Sequence, residues 1–403
     1  MNSSETIWLA ASDESDGVNN SAENIAATIA GQAGPILPVG ARTKSALSAG
    51  SARVTLLDMR AHRGIVSYDP SEFLISARAG TPLAEIQTVL DEQRQYLPFD
   101  PLFVSQRATL GGTVASGLSG AGRLLYGSLR DFVMEVQLID GLGKIVHGGG
   151  KVVKNAAGFD LPKLVVGSYG RMGVLTEITL KVFPRPPANA TLQIAAANVT
   201  KAIPVVQALL AQPLPISAVD LHFDHVGSVE LLARFSAHGD SLAEVLRRAA
   251  VAGGLPSQTI GESAQEQQLW RDRAAAVEQR TDNSSRTLVR MATNLPALAE
   301  LAPALLALVG GDAELHCTGG GTVAWLSLAD AGQLQGVDKL LLDHKIPAIV
   351  ISAPNAVALS ADSSSGESDG GLRPLGDRTW LTIARRIQSA MDPQQKFAAY
   401  PSS

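Results

Sequence analysis

Three observations predict an α+β fold in two parts. A glycine-punctuated block between Ala108 and Pro186 sets short β-rich runs between Gly-Gly and single-Gly turns. A proline cluster, Pro184, Pro186 and Pro187, stops the chain directly after a long alternating strand pattern. The half that follows alternates hairpin signals with helical patterns, the rhythm of an antiparallel sheet with helices laid on it. With 403 residues and 45% hydrophobic content the chain can bury two or three domain cores.

The elements follow in order. Residues 1–20 are polar and read as a flexible N-terminus, and a helical pattern over 23–29 opens a first domain spanning 21–187. Residues 36–39 read as a strand running into Gly40-Ala41-Arg42-Thr43-Lys44, with further strands at 54–57 and 73–77. A helix is predicted over 82–92 with Thr81 as its N-cap. Strands over 132–139 and 144–147 flank Gly141-Leu142-Gly143 as a hairpin, and 174–183 is one more alternating strand. A second domain over 188–377 starts with a hairpin, 218–223 and 229–235 around Gly227, and a helix over 241–252. Helices are expected at 262–280 and 297–308, with strands at 313–317 and 322–328. The Ser/Asp/Gly-rich stretch 360–371 is expected to be a mobile loop, and a helix over 378–391 leads a C-terminal segment, 378–403. No internal repeat is visible.

Charge and composition exclude several classes. A net charge of -5, with no basic run carrying interleaved aromatics, argues against a nucleic-acid partner. The N-terminus carries Glu5, Asp13, Glu14 and Asp16 in place of the basic-then-apolar order of an export signal, so a cytoplasmic location is expected. The most apolar stretch, 295–311, is interrupted by Pro296, Glu300 and Pro303, so membrane attachment is expected only through a partner. The lone cysteine, Cys317, excludes an internal disulfide and a Cys-ligated iron–sulfur cluster, and reads as a small buried strand residue.

Dense glycines bring backbone close to a large ligand, and their N–H groups can cradle a diphosphate and a flat ring system. Three nearby glycine motifs are turns only. Gly141-Leu142-Gly143 lacks the third glycine of a dinucleotide fingerprint, and Gly150-Lys151 is followed by Val152 where a phosphate-binding loop needs Ser or Thr. Gly117-Leu118-Ser119-Gly120-Ala121 lacks the closing glycine of a nucleophile elbow.

The order and wording of residues 38–44, 109–117, Tyr126-Gly127 with Arg130-Asp131, and 170–183 resemble the FAD-binding oxidoreductases of the vanillyl-alcohol oxidase type. Within that superfamily, residues 151–160, Lys163-Leu164 and 181–186 are similar to the FAD-binding E subunits of bacterial glycolate oxidases. The resemblance is strong over 36–187 and weaker at Leu269-Trp270-Arg271 and Asp392-Pro393. It implies a two-subdomain PCMH-type FAD-binding domain, an α+β cap, and a C-terminal segment returning toward the FAD domain. It also implies that Gly40, Ala41, Arg42, Thr43 and Lys44 wrap the FAD pyrophosphate. Gly111, Gly112, Thr113, Ser116 and Gly117 would pass along pyrophosphate and flavin, and Gly173, Val174 and Leu175 would offer backbone contacts. Arg42, where the family has glycine, is either a phosphate contact or a solvated loop residue. The chain lacks the His and Cys that members with covalent FAD use, so non-covalent FAD is implied; His62 and His147 read as structural or surface residues.

Oxidising a 2-hydroxy acid requires a hydride acceptor, a base for the hydroxyl proton and a cation for the carboxylate. Related D-2-hydroxy-acid dehydrogenases carry a His-rich metal motif in their C-terminal domain, and this chain has none. His222 and His225 fall on a predicted hairpin with opposite orientations, His238 follows it, and His316 and His344 read as isolated, so no metal site is assigned. Arg271, Arg273, Arg286 and Arg290 are candidate carboxylate clamps or else helix-surface and strand-edge arginines. No catalytic base is assigned. The resemblance implies a glycolate dehydrogenase subunit with a longer FAD-containing subunit and an iron–sulfur subunit as partners, peripheral at the inner membrane only through that complex. A non-catalytic flavin-containing structural subunit and a stand-alone dehydrogenase for another hydroxy acid or sugar acid are the alternatives.

Overall fold

The computed structural model describes residues 6–8, 21–49, 53–150, 159–261, 264–282, 286–311, 313–354 and 372–401. The segment 151–158 and the expected loop at 360–371 lie outside them. Among the described residues, strands β1 (Thr6–Trp8), β2 (Ile36–Val39) and β3 (Thr55–Asp58) make a parallel sheet in the order β1-β3-β2. Helix α1 (Ala22–Gly31) starts where the Ser21 hydroxyl accepts from the Asn24 N–H, and buries Ile25 and Ile29 against Ile36, Leu57, Ile139 and Phe397.

A five-stranded antiparallel sheet follows, ordered β4 (Ile65–Asp69), β5 (Leu74–Arg78), β9 (Val174–Lys181), β7 (Val133–Ile139), β8 (Ile145–Gly149). Helix α2 (Leu83–Glu92) packs Leu83, Ile86 and Leu90 into its core. Thr81 is not the cap of α2. Pro82 holds that position without a side-chain cap, and the Thr81 hydroxyl instead accepts from the Gly64 N–H and donates to the Gly64 carbonyl. The short strands β6 (Gln95–Tyr96) and β10 (Phe183–Pro184) pair with each other.

The segment read as passing backbone at 110–116 is helix α3 (Leu110–Ser116). Thr109 caps it by accepting from the Gly112 N–H, and Gly117 ends it in the left-handed region. Gly111 is needed for packing, because a Cβ there would stand 2.8 Å from the Ala79 Cβ. After α4 (Arg123–Tyr126) and α5 (Leu161–Val165), the chain enters the second sheet.

That sheet has nine strands: β14 (Ser257–Ile260), β11 (Ala188–Ala196), β13 (Val229–Ala237), β12 (Ile216–Phe223), β16 (Glu314–Thr318), β17 (Val323–Leu328), β15 (Thr287–Ala292), β18 (Pro347–Ser352) and β19 (Pro374–Gly376). All its pairings are antiparallel. Strands alternate their side chains between faces. Val289, Met291, Cys317 and Leu326 share a core with α6 (Val199–Leu210), α7 (Gly239–Gly253), α9 (Leu295–Val309) and α10 (Leu334–Asp343). Leu288, Val323, Trp325, Ile349 and Ile351 instead join the core of the five-stranded sheet. Helix α8 (Ala264–Asp282) contributes Val277 to this second core.

The helix α11 (Trp380–Met391) leads a tail back to the first sheet. Ile36 N–H donates to the Lys396 carbonyl at 2.7 Å and Ala398 N–H to the Ile36 carbonyl at 2.9 Å. Gln388 locks this return by donating to the Arg171 and Ala398 carbonyls and accepting from Tyr400 N–H. Among the described residues, no helix is long and apolar enough to cross a membrane.

Candidate functional site

Strand β2 delivers the loop Gly40–Lys44 opposite the N-terminus of α3, and the turn 168–173 closes the third side. Between them lie a cleft of about 460 Å³ and an adjoining one of about 390 Å³, which share Gly40, Thr109, Gly112, Ala115 and Gly170. Gly40 is forced by close approach, since a Cβ there would stand 2.2 Å from the Thr109 hydroxyl oxygen. The cleft floor is therefore backbone. The N–H groups of Gly40, Ala41, Arg42 and Thr43 donate to no acceptor among the described residues. By contrast, Leu110, Gly111 and Gly112 spend theirs on the Thr81 and Ala79 carbonyls and the Thr109 hydroxyl.

Lys44 is buried under the loop, its Nζ donating to the Thr43 hydroxyl at 3.0 Å and lying 4.8 Å over the Phe103 ring. Burial lowers its pKa to about 8, with the Glu278 carboxylate pulling the other way. That carboxylate accepts from the Phe103 N–H and the Ser105 hydroxyl. A run of free N–H groups beside a lysine suits a diphosphate. Leu47, Met59, Ala79 and Leu175 give the apolar surface a flat ring system needs. The residues present thus fit FAD.

Of the residues named from sequence, Gly40, Ala41, Arg42, Thr43, Lys44, Gly111, Gly112, Ser116, Gly173 and Leu175 line these two clefts. Thr113, Gly117 and Val174 do not. Thr113 is buried with its hydroxyl unpartnered, Gly117 ends α3 against Gly167, and Val174 is buried beside Ile25 and Ile139. Thr109, Ala115, Tyr169 and Gly170 line the clefts and escaped the sequence reading. Thr109 had a signal: a Thr immediately before a short run ending in Gly is a capped helix start.

The second sheet sorts the four candidate arginines. Arg271 bonds Gln268 on the surface of α8, Arg273 pairs with Glu230, and Arg286 donates to the Ser327 hydroxyl and carbonyl. The guanidinium of Arg290, partly buried on β15, makes no hydrogen bond or ion pair among the described residues. His316 is not isolated: its Nε2 lies 3.1 Å from the Asp220 carboxylate, and its ring stands edge-on to His222 at 6.4 Å. The sequence hid this pairing because β12 and β16 are far apart along the chain. Among the described residues, no three His, Cys, Asp or Glu groups converge as metal ligands. His62 bonds the Thr176 carbonyl, His147 faces Gln137, and Cys317 is buried on the helix-covered face.

Fold and cleft define the class: a two-sheet unit carrying a backbone-floored cleft sized for a cofactor, with a nine-stranded sheet and its helices against it. Residues 20–149 match the family model described as FAD binding domain, so the chain carries that domain. Among curated proteins, it is 46% identical over 191 residues to the glycolate oxidase subunit GlcE of Escherichia coli, covering 47% of this chain and 54% of that protein. It is 31% identical over 189 residues to a D-lactate dehydrogenase of Anaerostipes hadrus, covering 46% and 39%. A D-2-hydroxyglutarate dehydrogenase of Xanthomonas citri is 27% identical over 275 residues, covering 61% and 57%. The chain thus spans roughly half, or less, of the length of these relatives. Among solved structures, an alkyldihydroxyacetonephosphate synthase superposes with a TM-score of 0.67 at 14% identity, covering 94% of this chain and 74% of that one. That likeness concerns the fold.

Proposed function

We propose that the chain is the FAD-binding subunit of a glycolate dehydrogenase complex, oxidising glycolate to glyoxylate and passing electrons to an iron–sulfur partner. The observation that carries this reading is the 46% identity to a glycolate oxidase subunit. Residues 21–187 hold FAD without a covalent link, and 188–377 cover it. The loop Gly40–Lys44 wraps the diphosphate with its free N–H groups and Lys44. Gly111, Gly112 and Ser116 run along diphosphate and flavin, and Gly173 and Leu175 complete the lining.

FAD supplies the two-electron acceptor for the hydride leaving the α-carbon. The protein's part is to place the substrate against it, take the hydroxyl proton and exclude water. A longer FAD-containing subunit completes the assembly, and any membrane contact passes through that complex. Purifying the chain with its partners, counting flavin per chain and adding glycolate without oxygen tests the reading. Bleached flavin absorbance in the isolated chain is expected. A spectrum unchanged by glycolate would assign catalysis to the partner and leave this subunit a flavin-containing scaffold.

A further inference from the structure

Cross-strand register sets Glu230, His222, His316, Trp325, Arg290 and Ile349 in one row across the second sheet. Trp325 and Ile349 belong to the core shared with the five-stranded sheet, so this row faces the FAD-binding segment. Helix α4 lies over β12, and the stem of its Arg123 rests on the turn after β16, where a Cβ on Gly319 would stand 3.0 Å from Arg123 Cγ.

Arg123 and Arg290 are both partly buried, and neither guanidinium makes a hydrogen bond or ion pair among the described residues. Burial lowers the pKa of each, and Arg290 lowers that of Arg123 further, with the Asp131 carboxylate pulling Arg123 only partly back. Two guanidiniums that repel each other in a partly desolvated space cost stability unless an anion neutralises them. Beside them the Trp325 indole N–H and the Thr318 hydroxyl are buried without partners. Buried polar atoms are ordinarily satisfied, so unpaired donors here indicate a guest that brings acceptors. Tyr169, which lines the FAD cleft, interacts electrostatically with Arg290, which brings Arg290 near the cleft's sheet side.

We propose that Arg123 and Arg290, with the Trp325 N–H, form a carboxylate subsite between the sheet and the FAD-binding segment, and that it receives the carboxylate of the substrate. The guest is a small carboxylate whose two oxygens take the guanidinium donors. Its role as substrate carboxylate rests on the 2-hydroxy-acid reading above, whereas anion binding does not.

The test is oxalate binding to the purified flavoprotein, followed by tryptophan fluorescence and by the flavin difference spectrum, alongside uncharged methyl glycolate. Oxalate is expected to bind and methyl glycolate not. Arg290→Gln and Arg123→Gln should each weaken oxalate binding by about 10- to 100-fold, the range for a lost charge-assisted hydrogen bond, with FAD content unchanged. Arg290→Lys should retain part of the affinity. Without anion, Arg290→Gln should melt at or above the wild-type temperature, because it relieves like-charge repulsion; oxalate should raise the melting point of the wild type most and of the glutamine variants least. Oxalate binding equal in wild type and both glutamine variants, or a lowered melting point that oxalate leaves unchanged in every form, overturns the subsite. Arg-dependent oxalate binding in a protein that glycolate does not bleach would sink the glycolate reading and keep the subsite.

Discussion

The contact between the first loop and the cap of α3 sets a double substitution whose cost is smaller than its parts. In Gly40→Ala the new Cβ meets the Thr109 hydroxyl oxygen at 2.2 Å and the Thr109 Cβ and Cγ2 at 3.2 Å. The side chain must swing away from the Gly112 N–H it caps, so about 1–3 kcal/mol of overpacking is joined by about 1 kcal/mol of lost cap. Thr109→Ala alone removes the cap at about 1 kcal/mol. In the double variant the clashing oxygen is gone and only a 3.2 Å contact remains, so the total should approach that of Thr109→Ala plus a few tenths of a kcal/mol. The expected coupling is about −2 to −4 kcal/mol, well beyond the roughly 0.3–0.5 kcal/mol scatter of independent sites. Denaturant midpoints of the four proteins, each with and without FAD, provide the cycle. Additive costs would refute the placement of the loop on the helix cap, and with it the backbone floor of the cleft.

Further outcomes follow from single residues. Lys44, held at about 8 when folded against 10.5 in its ordinary state, binds fewer protons folded than unfolded, so FAD-free stability should rise with pH between about 8 and 10.5. Lys44→Met should flatten that slope in pH-dependent melts, and FAD should move the window upward by restoring the charge; a slope indifferent to both would disprove a lysine at the diphosphate. Arg42 has φ +56, a conformation that costs a side chain about 1–2 kcal/mol, so Arg42→Gly should raise the melting temperature. If Arg42 also binds phosphate, equilibrium dialysis of FAD with the same variant will show weakened affinity, which separates its two roles. Gln388→Leu strips three buried hydrogen bonds and should destabilise the fold by about 2–3 kcal/mol, exposing the tail to limited proteolysis before the rest of the chain. Wild-type tail protection would count against that lock.

Alternating patterns bounded by Gly and Pro located β2, β3, β5, β7, β8, β9 and the β12–β13 hairpin within two residues of their observed ends. Glycine content misled at α3, where seven residues hold a helix through tertiary packing on Ala79 and a Thr cap, against the poor propensity of Gly111 and Gly112. β15 was missed because Arg290 interrupts its apolar run, and that interruption is what the structure explains: the side chain faces the FAD segment. The loop residues at the cleft were legible as wording. The Arg123–Arg290 and His316–Asp220 neighbours were not, since only strand order and register bring positions so far apart in sequence together.

The tail that completes β2 has a consequence for synthesis. Ile36 leaves the ribosome roughly 360 residues before Phe397, the residue that bridges to it. At the usual 5–20 residues per second, the edge of the first sheet waits roughly 20–70 s for its last neighbour. Throughout that interval the nascent chain exposes a hydrogen-bonding edge beside the loop meant for the cofactor. Holding such an edge from other chains until the tail arrives is work for a chaperone.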